Sequence, residues 1–127
     1  MTQNHPPDKW DQLAQHEVNQ TLHQLPEPLQ THAKNLPVSY EPYPSPDLEA
    51  DGIEPDTLGL FVGEPWAETG STTTPLPPQI ILFTQNLRDY AENDETTFLD
   101  EVRTTYLHEL GHYLGLDEID LAHRNLD

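Results

Sequence analysis

The sequence predicts a compact α+β domain, within the broad α/β class. A small three- to four-stranded sheet packs on an amino-terminal helix and on a second long helix near the carboxyl end. Three patterns carry this expectation. Apolar residues recur at three-to-four spacing over 10–25, two short aliphatic runs are fenced by glycine and proline, and 95–110 contain neither glycine nor proline. A length of 127 residues fits one domain with a modest core, taken as residues 1–127 with 1–7 as a flexible lead.

In chain order, Trp10, Leu13, Ala14, Val18, Leu22 and Leu25 form the apolar stripe of a helix that begins at Asp8 and is interrupted by Pro26 and Pro28. A short second helix follows with Pro28 at its first position; Leu29, Ala33 and Leu36 make its apolar side, and Pro37 ends it. Val38 to Tyr43 is rich in β-formers, but Pro42 has no N–H for a ladder, so this is an edge strand or a short one. Pro44 to Asp56 reads as loop. Leu58 to Val62 and Gln79 to Thr84 read as two buried strands, divided by a polar stretch with Gly63, Pro65, Gly70, Pro75, Pro77 and Pro78 and the Ser71 to Thr74 tract. Gln85 to Asp94 is irregular or a short turn of helix, and Glu95 to Leu114 is the long second helix.

Five Lys and Arg against 23 Asp and Glu give a formal net charge of −18, which repels nucleic-acid phosphates and anionic membrane surfaces. With no cysteine, a bound metal must rest on imidazole and carboxylate ligands. The start of the chain lacks a basic segment followed by an apolar run, and no stretch of about 18 apolar residues occurs, so a soluble cytoplasmic protein is expected. Asp47-x-Glu49-x-Asp51-Gly52 imitates a calcium loop, yet Leu58 stands where the twelfth-position Glu is needed. His5, His16, His23 and His32 read as solvated side chains.

The chemistry concentrates in His108-Glu109-Leu110-Gly111-His112, inside the long helix. At about 100° per residue, His112 sits about 40° from His108 and one turn further along, so both imidazoles reach one ion. Glu109 projects to the other side of His112, suited to a general base and poorly placed to ligate beside both histidines. Val102, Tyr113, Tyr106, Leu99, Leu110, Leu114 and Leu107 occupy the opposite side, roughly 120° to 260° away, and should pack on the sheet. Glu101 shares the metal face, but two turns upstream it is too far to ligate the same ion. Two neutral imidazoles and one carboxylate leave a fourth position open, which suits one catalytic zinc per chain. Tyr106, Tyr113, His123 and Arg124 are the candidates to stabilise an oxyanion, with the two tyrosines reading more strongly as core aromatics.

Extended by Gly115 and Glu118, the pattern has the spacing of the longer zincin signature, although the methionine turn of the metzincins is absent because Met1 is the sole methionine. Over about residues 10 to 121 the chain resembles the bacterial minimal-zincin family, small zincin-like metallopeptidases with an H-E-x-x-H-x-x-G-x-x-D/H motif near the carboxyl end. The resemblance runs through the leucine-patterned first helix, Leu58-Gly-Leu-Phe-Val-Gly63, Pro78-Gln-Ile-Ile-Leu-Phe83, Glu101-Val-Arg-Thr-Thr-Tyr-Leu-His108 and the motif itself. It implies a compact zinc-binding domain that hydrolyses peptide or protein substrates. This sequence departs from the family at Glu118, where Asp or His is usual. The competing reading is a zinc-binding protein without hydrolytic activity, serving as an interaction module.

Gly115 can adopt the left-handed conformation that ends a helix, which turns the chain back so that Glu118 passes the open side of the two histidines. Asp117 is shorter and one residue early, which makes it the runner-up ligand; Asp120 and His123 rank below it. Zinc affinities of Glu118→Ala and Asp117→Ala test this order: the Glu118 variant is expected to lose the metal and the Asp117 variant to keep it, and the reverse result breaks the register argument.

Overall fold

The computed structural model describes residues 8–63 and 78–114, which form five helices and three strands. Helix α1 spans Lys9–His23, capped by Asp8, whose side chain accepts the Asp11 N–H at 2.9 Å. Asp8 is therefore the cap and not the first helical residue. Helix α2 covers Glu27–Lys34, one residue earlier than expected, with Pro28 in its first turn where a missing N–H costs nothing. Strand β1 is Val38–Glu41 and stops before Pro42.

The expected loop from Pro44 to Asp56 instead contains helix α3, Pro46–Ala50. Its start follows local rules: Ser45 accepts the Leu48 N–H at 3.2 Å and Pro46 occupies the first turn. Asp47 and Glu49 thus lie on α3 and Asp51 caps it, so the calcium-like spacing falls on a helix. Strand β2 is Gly59–Val62 and strand β3 is Gln79–Phe83. The segment read as irregular or a short turn of helix begins as helix α4, Thr84–Tyr90, directly after β3. Glu92 and Asn93 then take left-handed conformations (φ 54° and 62°), and Arg88 Nε donates to Asn93 Oδ1 at 2.7 Å across that turn. Helix α5 runs Glu95–Tyr113 from an Asp94 cap that accepts the Thr97 N–H.

The sheet has three strands in the order β1-β3-β2, with β1 parallel and β2 antiparallel to β3. Central β3 is the buried strand: Ile80, Leu82 and Phe83 are inaccessible to solvent. Strand β2 is half-buried throughout, a correction to its expected burial that follows from its place at the edge. Asn86 on α4 fixes the approach to this edge, its side-chain amide donating to the carbonyls of Pro55 (2.7 Å) and Thr57 (2.9 Å).

The expected apolar face of α5 is the spine of the core: Val102, Tyr106, Leu107, Leu110 and Tyr113 are buried, with Leu99 and Leu114 packed beside them. That face is shared between β2 and β3 on one side and α1 on the other. At the start of α5, Phe98 meets Trp10 edge to face (centroids 4.9 Å apart), while the Arg88 guanidinium lies 4.8 Å from the Trp10 ring and Lys9 pairs with Glu95. Among the described residues no helix is long and apolar enough to cross a membrane.

Gly59 lets β2 touch α5. A Cβ placed there would collide with Thr105 Cγ2 and stand 3.2 Å from Leu82 Cδ2. Gly59→Ala should therefore lower unfolding free energy by about 1–3 kcal/mol in chemical denaturation, because Thr105 is buried and branched and cannot swing aside. Unchanged stability would show that the strand and helix separate freely.

Candidate metal centre

The metal face of α5 follows from helical spacing alone. His108 and His112, four residues apart, bring their Nε2 atoms to 3.0 Å, with ring planes at 84°. Two zinc–imidazole bonds of about 2.0–2.1 Å at a tetrahedral angle place such nitrogens about 3.3 Å apart, so the rings already converge on one point. At most one proton can sit between two nitrogens that close; a cation satisfies both lone pairs. The donor set fits zinc on these grounds.

Ligand atoms of His108, Glu109 and His112 lie within 4.8 Å of one another, the sole such group among the described residues. Glu109 lies beside β2, where the Phe61 backbone N–H is near enough to favour its charged carboxylate. Ladder geometry explains why that donor is free. Phe83 N–H donates to the Leu58 carbonyl, so residues 58, 60 and 62 face β3, and the peptide groups of Gly59 and Phe61 point away from β3, along the outer edge of β2. Burial pushes the Glu109 carboxyl above its ordinary value, and the nearby His112 and the Phe61 N–H offset this only in part.

Two hollows flank Glu109 along the edge of β2. One, of about 310 Å³, lies between Leu58 and Gly59 on the strand and Glu101, Thr104, Thr105 and His108 on the helix. The other, of about 380 Å³, lies between Leu60, Phe61 and Gly63 on one side and His112 on the other. Together they form a groove with Glu109 at its centre and the imidazole pair beside it.

A family model of zincin-like metallopeptidases matches residues 33–126. The chain belongs to the zincin-like metallopeptidase family. No curated protein shows significant similarity to it. Within this zincin-like chain the structure brings together His108, Glu109 and His112, while Glu118, Asp117, Asp120, His123, Arg124, Gly115, residues 1–7 and the Ser71 to Thr74 tract lie outside the described residues. The helix ends at Tyr113, with Leu114 as its cap, immediately before Gly115.

Neither tyrosine considered for the oxyanion faces the histidines. Tyr106 is fully buried, its hydroxyl is without a hydrogen-bond partner among the described residues, and burial, with Tyr40 nearby, pushes it up to about 12. Tyr113 is buried against Phe61, with ring centroids 5.7 Å apart. On α1, His23 Nδ1 lies 2.8 Å from the Asn19 carbonyl oxygen and His16 is exposed. The contribution of Phe61 was not legible in the sequence, because a backbone N–H carries no residue signature; its signal was the alternation within Leu58 to Val62.

A carboxyl that holds its proton more tightly in the folded than in the unfolded chain adds stability in acid, and that contribution is lost as pH rises through its folded value. Metal-free Glu109→Gln keeps an acceptor for the Phe61 N–H without the buried charge. It should melt above the parent near pH 7 and converge with it in acid, as read by thermal melts in chelator across a pH series; a lower melting point at pH 7 contradicts the burial argument.

Proposed function

We propose that this protein is a zinc-dependent peptidase of the cytoplasm, hydrolysing peptide bonds in peptide or protein substrates. His108, His112 and Glu118, with Asp117 as the runner-up, hold one zinc, and Glu109 is the general base. The observation that carries this reading is the placement of a half-buried carboxylate and two convergent imidazoles on one helix face beside strand β2, whose outer edge has no pairing strand among the described residues. Family membership supports it. The net charge of −18 argues for peptides over nucleic acids or anionic lipids as partners.

A bound zinc supplies Lewis acidity toward the scissile carbonyl and makes water acidic enough to deprotonate near neutral pH. The remaining work falls to the chain. Glu109 takes a proton from the attacking water on its carboxylate and delivers it to the leaving amine, a task that its upward-shifted carboxyl suits. The outward peptide groups of Gly59 and Phe61 pair with an extended substrate and hold its backbone along the groove. A substrate carbonyl that takes over the Phe61 N–H also removes its pull on the Glu109 carboxylate, which leaves the base more available to water.

Protein purified without added zinc should contain about one zinc per chain, and His108→Ala or His112→Ala should lose most of it. Glu109→Gln should keep metal and fold while hydrolysis of a peptide library falls about 10²- to 10⁴-fold. Undiminished zinc in both histidine variants refutes the site, and unaltered cleavage by the Glu109 variant refutes the base. A parent protein that carries zinc and cleaves nothing is instead a zinc-binding interaction module.

A further inference from the structure

We propose that Glu101 makes the hollow beside Leu58 and Gly59 a subsite for a lysine or arginine side chain on the carboxyl side of the bond that is cut. The proposal rests on the peptidase reading for its position and on the hollow itself for its chemistry. Leu58 and Gly59 share that hollow with residues of α5 from Glu101 to Glu109, whereas Leu60, Phe61 and Gly63 share the other with Glu109 and His112. Strand β2 and helix α5 therefore pass the site in the same sense. A peptide pairing antiparallel to β2, the more stable ladder, enters over Gly63 and leaves over Leu58. Its carboxyl-side residues face the Glu101 hollow.

Charge and length then select the side chain. Glu101 is half-buried in the wall, and among the described residues no cation pairs with it: Lys9 is held by Glu95, and neighbouring Arg103 reaches Asp100 at 3.9 Å. Seven residues upstream of His108, it lies about 10 Å along the helix axis, beyond the reach of short side chains. A lysine or arginine covers much of that distance with its methylenes against Leu58 and the threonine methyls, and the Glu101 side chain reaches out to meet its charge. An aliphatic side chain would cover Glu101 without a partner, and an acidic one would repel it.

The test walks a single Lys, Arg, Leu or Glu through an otherwise neutral peptide at about 0.15 M salt. Cleavage positions and rates are read by mass spectrometry for the zinc-loaded parent, Glu101→Gln, Glu101→Lys and the remote surface control Asp47→Asn. Affinities of the same peptides are read by fluorescence anisotropy on zinc-loaded Glu109→Gln with and without the Glu101 changes. A basic residue at one carboxyl-side position should improve binding and kcat/KM about three- to tenfold over Leu. Glu101→Gln should erase that gain, Glu101→Lys should turn it toward Glu, and Asp47→Asn should leave it. A preference that is the same at every position, or that survives Glu101→Gln while peptides are still cut, overturns the subsite and leaves the peptidase standing. A position-specific basic preference in binding that disappears with Glu101, in a protein that cuts nothing, upholds the subsite and overturns the peptidase. Absence of both overturns both.

Discussion

The contact between β2 and α5 at Gly59 is the constraint from which the site follows. Because no Cβ stands between the strand and Thr105, the edge of the sheet lies directly against the metal face of the helix. That closeness half-buries Glu109, supplies it with the Phe61 N–H and creates the two hollows on either side. A larger residue at this point would move the edge outward, and the same HExxH helix would carry its histidines on an open surface.

The helix is itself held at both ends. At its start, Trp10 lies between Phe98 and the Arg88 guanidinium, and the Lys9–Glu95 pair closes over the same corner, so α1, α4 and α5 share one anchor. Further along, Val102, Tyr106 and Leu110 are inaccessible to solvent. Side chains on the opposite face inherit this order. The two imidazoles converge because the backbone that carries them is packed firmly on its other side.

The motif helix, its apolar stripe and the pairing of His108 with His112 were legible because each depends on a period of 3.6 residues, which the sequence prints directly. Helix α3 was missed by weighing the prolines around it as loop formers, although Ser45-Pro46 is a helix start. Helix α4 was underestimated for a different reason. It begins in the residue after β3, with no linker and no side-chain cap to mark the boundary. Strand β2 looked buried because all five residues of Leu58 to Val62 are apolar or glycine; its edge position depends on pairing with a segment about twenty residues away, which no local pattern encodes. Glu101 was placed on the correct face, but its meaning emerged only once β2 supplied the other wall.

Strand β2 is only four residues long, and of these just Gly59 and Phe61 turn their peptide groups outward. Spaced about 6.8 Å apart, they offer two points at which the proposed peptide substrate would pair through alternate residues. So short a grip cannot supply the free energy to pull a segment out of a folded domain, where its hydrogen bonds and packing are already made. For the peptidase proposed above, such a groove suits chain that arrives extended: frayed termini, linkers and fragments left by other proteases. On that proposal, a strand of four residues would act as a filter on the folding state of the substrate.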